Sequence, residues 1–226
     1  MEPISINISD EILKVCPGFC FAAIQCSVKN TGFSEILWKE IDAFSSDFRE
    51  RYKIPDINKR LAIFATRQVY KKLGKDPNRY RPSAEALCRR ILKGMELYQI
   101  DVLVDLINLV SMKSGYSIGG FDADKIHGDL ILGVGKKDER FEAIGRGLLN
   151  IEGLPVYRDE MGGIGTPTSD EERTKITSDT TNLLMLINGY LGDRYDVEKT
   201  VDYSVELLKK YAQAEEIRLY LSPAQD

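Results

Sequence analysis

Histidine is nearly absent from this chain, with His127 the only one among 226 residues. That scarcity leaves little for an imidazole-rich metal site or for a nucleophile–histidine relay. His127 sits between Ile126 and Gly128 in a turn-like context with no nucleophile beside it, so it reads as a solvated turn residue. Cysteine is sparse as well. Cys16, Cys20, Cys26 and Cys88 form no paired Cys-x-x-Cys spacing, which argues against a zinc site. The first three read as small buried hydrophobes instead. No apolar run approaches 18 residues and no signal-peptide pattern is seen, so no membrane association and a reducing, cytoplasmic setting are expected. Basic charge is not in excess: 31 basic against 35 acidic residues give a net charge of -4. A broadly basic nucleic-acid binder, a DNA binder included, is therefore not expected, although a local basic patch is compatible with an acidic body. The glycines form no Gly-x-x-x-x-Gly-Lys-Ser/Thr loop, and no serine or cysteine stands in a strand-to-helix nucleophile turn. Neither a metal nor an organic cofactor is implied.

What is present is ordinary for a globular chain, with 43% hydrophobic and 29% charged residues. A length of 226 residues without repeats or linkers fits a single domain, 1–226. Ile4, Ile6 and Ile8 alternate as a strand, followed by a helix-start or turn signal at Ser9-Asp10. Strands are expected on both sides of Pro17-Gly18, in EILKVC and in FCFAAIQCSVKN. Ser34 is placed to cap a helix over 34–51, with Ile36, Leu37, Ile41, Phe44 and Phe48 on one face and Trp38 in the core beside it. Asp56 is placed to start a helix over about 57–73 that Gly74 ends. Ser83 is expected to cap the next helix, closed by Gly94. Further on, strands are expected at Leu130–Val134, Phe141–Ile144 and Leu154–Tyr157, with turns at Lys136–Asp138 and Asp159–Gly163. The carboxylates of Asp159 and Glu160 read as solvated. Residues 166–178 read as a polar connection, and DTTNLLMLINGY as a short helix or strand entering the core. An amphipathic helix over 196–215 and a last strand, IRLYLS, complete the pattern.

The most informative stretch is YQIDVLVDLINLVSMKSGYSIGGFDADKI, residues 98–126. A short strand or loop leads into a helix over Val102–Ser114 that Gly115 stops, and Gly119-Gly120 reads as a turn. Asp101, Asp105 and Asn108 lie within the apolar run. A buried polar group without a partner costs about 1–3 kcal/mol, so these side chains are either hydrogen-bonded inside the fold or facing a pocket.

This stretch resembles the tRNA-editing domain of the phenylalanyl-tRNA synthetase beta subunit. The shared pattern is a Val-Asp-x-x-Asn core (Val104, Asp105, Asn108), Phe121-Asp122 and the Asp179-Thr180 pair, and the likeness runs from about Arg67 to about Tyr190. The string RYRPSAEALCRR is similar to free-standing relatives of that domain, so a complete ligase is not expected. The resemblance implies an α+β fold of layered antiparallel and mixed sheets with flanking helices. Residues 1–60 and the helix and strand of 196–222 would pack on the core. It implies a function in aminoacyl-tRNA editing by ester hydrolysis in trans, or in tRNA binding. A non-catalytic module for an amino acid or RNA is the alternative.

The resemblance also exposes departures. Where the family's editing site carries a histidine, a glutamate and an arginine, this chain has Gly119, Leu186 and Tyr98. The remaining pocket candidates are Asn108, Asp122 and Thr181. Arg79, Arg81, Arg89 and Arg90, with Lys75 nearby, are the candidates for gripping RNA phosphates beside the helix start after Pro82. A solvated helix face with Glu85 paired to Arg89 would explain the same residues.

Overall fold

The computed structural model describes residues 2–222, so the outermost ends of the expected 1–226 domain lie outside the described residues. In chain order the elements are β1 (Ile6–Ile8), α1 (Asp10–Val15), β2 (Cys20–Ser27), α2 (Glu35–Arg51), α3 (Leu61–Lys72), α4 (Ser83–Leu92) and α5 (Val102–Ser114). Then come β3 (Gly119–Asp122), β4 (Leu130–Val134), β5 (Glu142–Ala143), β6 (Gly147–Leu148), β7 (Pro155–Asp159), β8 (Gly162–Gly165), β9 (Asn182–Gly189), α6 (Arg194–Ala212) and β10 (Glu215–Leu221). The fold is α+β. One sheet, in the order β10-β2-β9-β3, is antiparallel throughout. The other, in the order β1-β4-β7-β8, is mixed, because β1 and β4 run parallel.

The layering follows from β2 and β9, whose residues are buried on both faces and therefore read as unbroken apolar runs. Cys20, Ala22, Ile24 and Cys26 of β2, with Leu183, Met185 and Ile187 of β9, pack against α2, α5 and α6. The alternate residues Phe21, Ala23, Leu184 and Leu186 pack against Leu130, Leu132, Tyr157 and Ile164 of the mixed sheet. The antiparallel sheet is thus sandwiched between helices and the second sheet, and each fully buried Leu or Ile in it contributes roughly 1.5–3 kcal/mol. All four cysteines are free and buried. Burial pushes the Cys26 thiol up to about 12 and those of Cys20 and Cys88 up to about 11, so they pack rather than react.

Helix α5 has the expected bounds. The Asp101 carboxylate accepts the Val104 N–H at 2.9 Å, and Gly115 closes the helix at φ 89°. It is apolar nearly all round because it is buried nearly all round. Asp105 is held structurally: its carboxylate accepts the Trp38 indole N–H at 2.7 Å and the Ile100 N–H at 3.1 Å. Burial raises the pKa of that carboxyl against the pull of those bonds.

Several local expectations are corrected. EILKVC is helix α1 rather than a strand, since Ser9 and Asp10 open a helix that Cys16 ends. Gly119-Gly120 lies in β3, paired with Leu186 and Met185, and makes no turn. The helix expected over 57–73 divides into a 3₁₀ turn, Ile54–Lys59, and α3, with Asp56 accepting the Lys53 N–H of the 3₁₀ turn at 3.0 Å. Ser83 is the first residue of α4, one place inside its expected cap. Ile36 is exposed, away from the apolar face of α2. Asp159 is buried and paired, with Arg173 Nη2 2.9 Å from its Oδ1, because the β7–β8 hairpin folds it inward.

Candidate functional site

The helical spacing of Val104, Ile107, Asn108 and Ser111 places them on one face of α5, and that face forms one wall of a cleft of about 230 Å³. Ile118 and Gly120 line it from the adjoining strand segment, and Thr166, Thr168, Ser169 and Asp170, just after β8, form the opposite wall. Ser83, at the start of α4, stands at its rim. Gly120 permits the close approach of helix to strand, since a Cβ there would lie 2.5 Å from Ile107 Cδ1. The 166–170 loop is shaped by its own hydroxyls. Thr166 Oγ1 accepts the N–H groups of Thr168 and Ser169, each at 3.1 Å, and the Thr168 hydroxyl pairs with that of Tyr70 at 2.8 Å.

Asp170 is the chemically exceptional member. Its carboxylate accepts one long hydrogen bond, from the Gly120 N–H at 3.5 Å, and no cation lies within ion-pair distance among the described residues. Asp170 is half-buried, and acids buried more fully are compensated. Glu85 meets Arg67 and Arg89, Asp159 meets Arg173, and Asp122 meets Lys125 and the Thr180 hydroxyl. Burial pushes the Asp170 carboxyl up to about 7, which leaves it able to gain or lose a proton at neutrality.

Behind the cleft, and sharing Thr166 and Asp170 with it, lies an inner chamber of about 10 Å³ between the two sheets. Gly119, Phe121, Gly165, Leu186, Asn188 and Tyr190 line it. The Phe121 ring lies flush on two glycines: a Cβ on Gly119 would fall 2.8 Å from it, and one on Gly165 2.5 Å. The Tyr157 hydroxyl donates to Asn188 Oδ1 at 2.6 Å, whereas the buried Tyr190 hydroxyl has no partner among the described residues.

The sequence-derived candidates are therefore divided. Asn108 lines the outer cleft, and Gly119 and Leu186 line the inner chamber. Asp122 lies buried on β3, tied to Lys125 and Thr180. Thr181 is exposed, and its carbonyl accepts the Val28 N–H at 2.8 Å. Tyr98 is exposed elsewhere, with the Arg90 guanidinium 4.1 Å over its ring. Arg89 donates to Glu85 at 2.8 Å, and Glu85 also binds Arg67. Arg79 remains exposed, while Arg81 stands 3.8 Å from Glu85 with its buried Nε lacking a hydrogen-bond partner among the described residues. Sequence reasoning missed Asp170, Ser111 and the hydroxyls of Thr166–Ser169. The available signal was the dense hydroxyl run TPTSD directly after Gly165.

A larger hollow of about 500 Å³ lies beside Tyr116, Asp193 and Lys199. Asp193 accepts the Tyr116 hydroxyl through Oδ2, while its buried Oδ1 has no hydrogen-bond partner among the described residues, and Lys113 sits 3.7 Å over the Tyr203 ring. The cleft at Asp170 is the stronger candidate for chemistry because it holds the carboxyl that titrates near neutrality with one long hydrogen bond.

A family model described as the B3/4 domain matches residues 65–213, well over half of the chain. That span contains the 67–190 likeness and extends through α6. Among solved structures, the chain is similar to an N-terminal fragment of the phenylalanyl-tRNA synthetase beta subunit from Pyrococcus horikoshii, with a TM-score of 0.53 and 14% identity. The similarity covers 98% of this chain and 55% of that one, so the chain spans about half the length of its structural relative. No curated protein matches the sequence. Among the described residues, no helix is long and apolar enough to cross a membrane.

Proposed function

The chain belongs to the B3/4 domain family, and from that premise we propose that its cleft receives the aminoacylated 3′ end of a tRNA and hydrolyses the ester in trans. The observation that carries this reading is Asp170, a half-buried carboxylate with one long hydrogen bond, beside Asn108, Ser111 and Thr168 in a cleft of about 230 Å³. An aminoacyl ester is already activated, so the site has mainly to hold the carbonyl and position a water. Asp170, poised near 7, suits a general base at neutral pH. Water adds to the ester carbonyl carbon while its proton passes to the Asp170 carboxylate. The ribose oxygen then leaves, taking a proton, as the terminal hydroxyl of the tRNA. Asn108 and the cleft hydroxyls supply hydrogen bonds for the carbonyl and the ribose.

The backbone of such a tRNA would meet Arg79 and Arg81. Arg81 has its side chain 41% exposed, is only loosely paired with Glu85 at 3.8 Å, and stands two residues before Ser83, which lines the cleft. Arg89 is neutralised by Glu85, and Arg90 is stacked on Tyr98. The reading is tested by incubating the protein with a pool of tRNA charged with mixed labelled amino acids. Release of label above the uncatalysed rate, lost in Asp170→Asn, is the expected result.

Binding without hydrolysis is the second reading. It is favoured by Gly119 and Leu186, which stand where the resemblance placed histidine and glutamate. In that case charged tRNA would be retained over uncharged tRNA with no label released.

A further inference from the structure

The inner chamber bears on which amino acid the cleft accepts, an inference that rests on the function proposed above. Asp170 and Thr166 line both spaces, so the chamber adjoins the cleft at these two residues. At about 10 Å³ it has room for roughly one water-sized group. The small size has a definite cause. Phe121 is 1% exposed, and its ring occupies the notch above Gly119 and Gly165 in which side chains at those positions would stand. Leu186, opposite Gly119 in the strand register and fully buried, closes the space from β9. Tyr190 also lines the chamber, and its hydroxyl, in a residue only 6% exposed, makes no hydrogen bond among the described residues. A buried hydroxyl of that kind calls for a polar partner, and a small group entering the chamber would supply it.

We propose that Phe121 and Leu186 set the substrate class: the site accepts an aminoacyl group whose side chain is hydrogen, methyl or hydroxymethyl, and rejects aromatic side chains. Phe121 is the specificity-determining residue, acting by occupying the space a ring would need. Among the small groups the hydroxymethyl side chain is favoured, because its hydroxyl can pair with that of Tyr190. Packing sets the direction of discrimination here, since a filled, rigid notch cannot admit a ring without displacing its neighbours.

The experiment measures binding of non-hydrolysable analogues, adenosine carrying a 3′-amide-linked glycyl, alanyl, seryl, tyrosyl or phenylalanyl group, by titration calorimetry. The small analogues are expected to bind at least tenfold more tightly than the two aromatic ones, with seryl first among them. Phe121→Leu and Phe121→Ala are expected to narrow that gap, the second more than the first. Circular dichroism checks that each variant folds, and the ranking in the unaltered protein stands without them. Aromatic analogues binding as tightly as the small ones would overturn the inference and leave the aminoacyl-end reading in place. Failure of every analogue to bind would overturn both.

Discussion

Asp170 and Gly120 face each other across the cleft, the carboxylate Oδ2 3.5 Å from the amide nitrogen, and this long contact is the carboxylate's one hydrogen bond among the described residues. Such a group is stabilised in its neutral form, which is why burial lifts it to about 7. The sign of the linkage follows. With a folded-state value above the unfolded one, its contribution to stability is complete at acid pH and is lost as pH rises through about 7. Asp170→Asn, which cannot ionise, should remove that dependence. In urea denaturation the variant should be more stable than the parent at pH 8, by on the order of 2 kcal/mol, and little different at pH 4. Parallel pH dependences in the two proteins would contradict the assigned environment.

A second prediction concerns Trp38 and Asp105, joined at 2.7 Å across 67 residues of sequence. Asp105→Ala leaves the buried indole N–H and the Ile100 N–H without their acceptor, so a loss of about 3 kcal/mol is expected. Trp38→Phe removes the donor instead and should cost about 2 kcal/mol. Combined, the two should cost less than their sum, a coupling that a double-mutant cycle reads directly.

The Arg67–Glu85–Arg89 cluster separates structural arginines from candidate phosphate contacts. Glu85 is 1% exposed and meets Arg67 and Arg89 at 2.9 and 2.8 Å. Glu85→Ala strands the buried Arg67 charge and should destabilise the fold by about 3–5 kcal/mol. Arg79→Ala should leave the melting temperature nearly unchanged, and Arg81→Ala should lower it only slightly because Arg81 is 41% exposed and 3.8 Å from Glu85, but both should weaken tRNA binding. Each should lower the slope of log affinity against log salt by roughly 1. An unaltered salt slope would remove both residues from the RNA contact.

Gly119 has no room for a side chain, because a Cβ there would stand 2.8 Å from the Phe121 ring. Gly119→His should therefore destabilise the protein by about 1–3 kcal/mol through overpacking. Phe121→Ala in the same chain should recover part of that loss, as thermal denaturation of the single and double variants would show. An additive double variant would mean that the ring and the introduced imidazole do not compete for the notch.

The fold was legible where local chemistry and tertiary burial agree. Asp101 and Gly115 bound α5 as their capping tendencies dictate, and Ser34 accepts the Leu37 N–H at the start of α2. It was less legible where an apolar run suits either state. EILKVC carries β-branched residues, yet the turn signal at Ser9-Asp10 begins a helix, and the Gly119-Gly120 pair is held in a strand by β9 on one side and α5 on the other. Of the site, Asn108 could be read because a polar residue interrupts an apolar helix face. Asp170 could not, because an acid in a polar connection looks solvated until the fold sets it against Gly120 and Gly165. The arginine string was ambiguous for a similar reason: Arg67, which shares Glu85 with Arg89, lies 18 residues before that glutamate.

The most direct test of the account is the pH dependence of aminoacyl-tRNA hydrolysis by the parent protein and by Asp170→Asn, each corrected for the uncatalysed rate. The account predicts a protein-dependent rate that rises through about pH 7 in the parent and falls by at least a hundredfold in the variant. Equal rates and equal pH profiles in the two would contradict it and take Asp170 out of the chemistry.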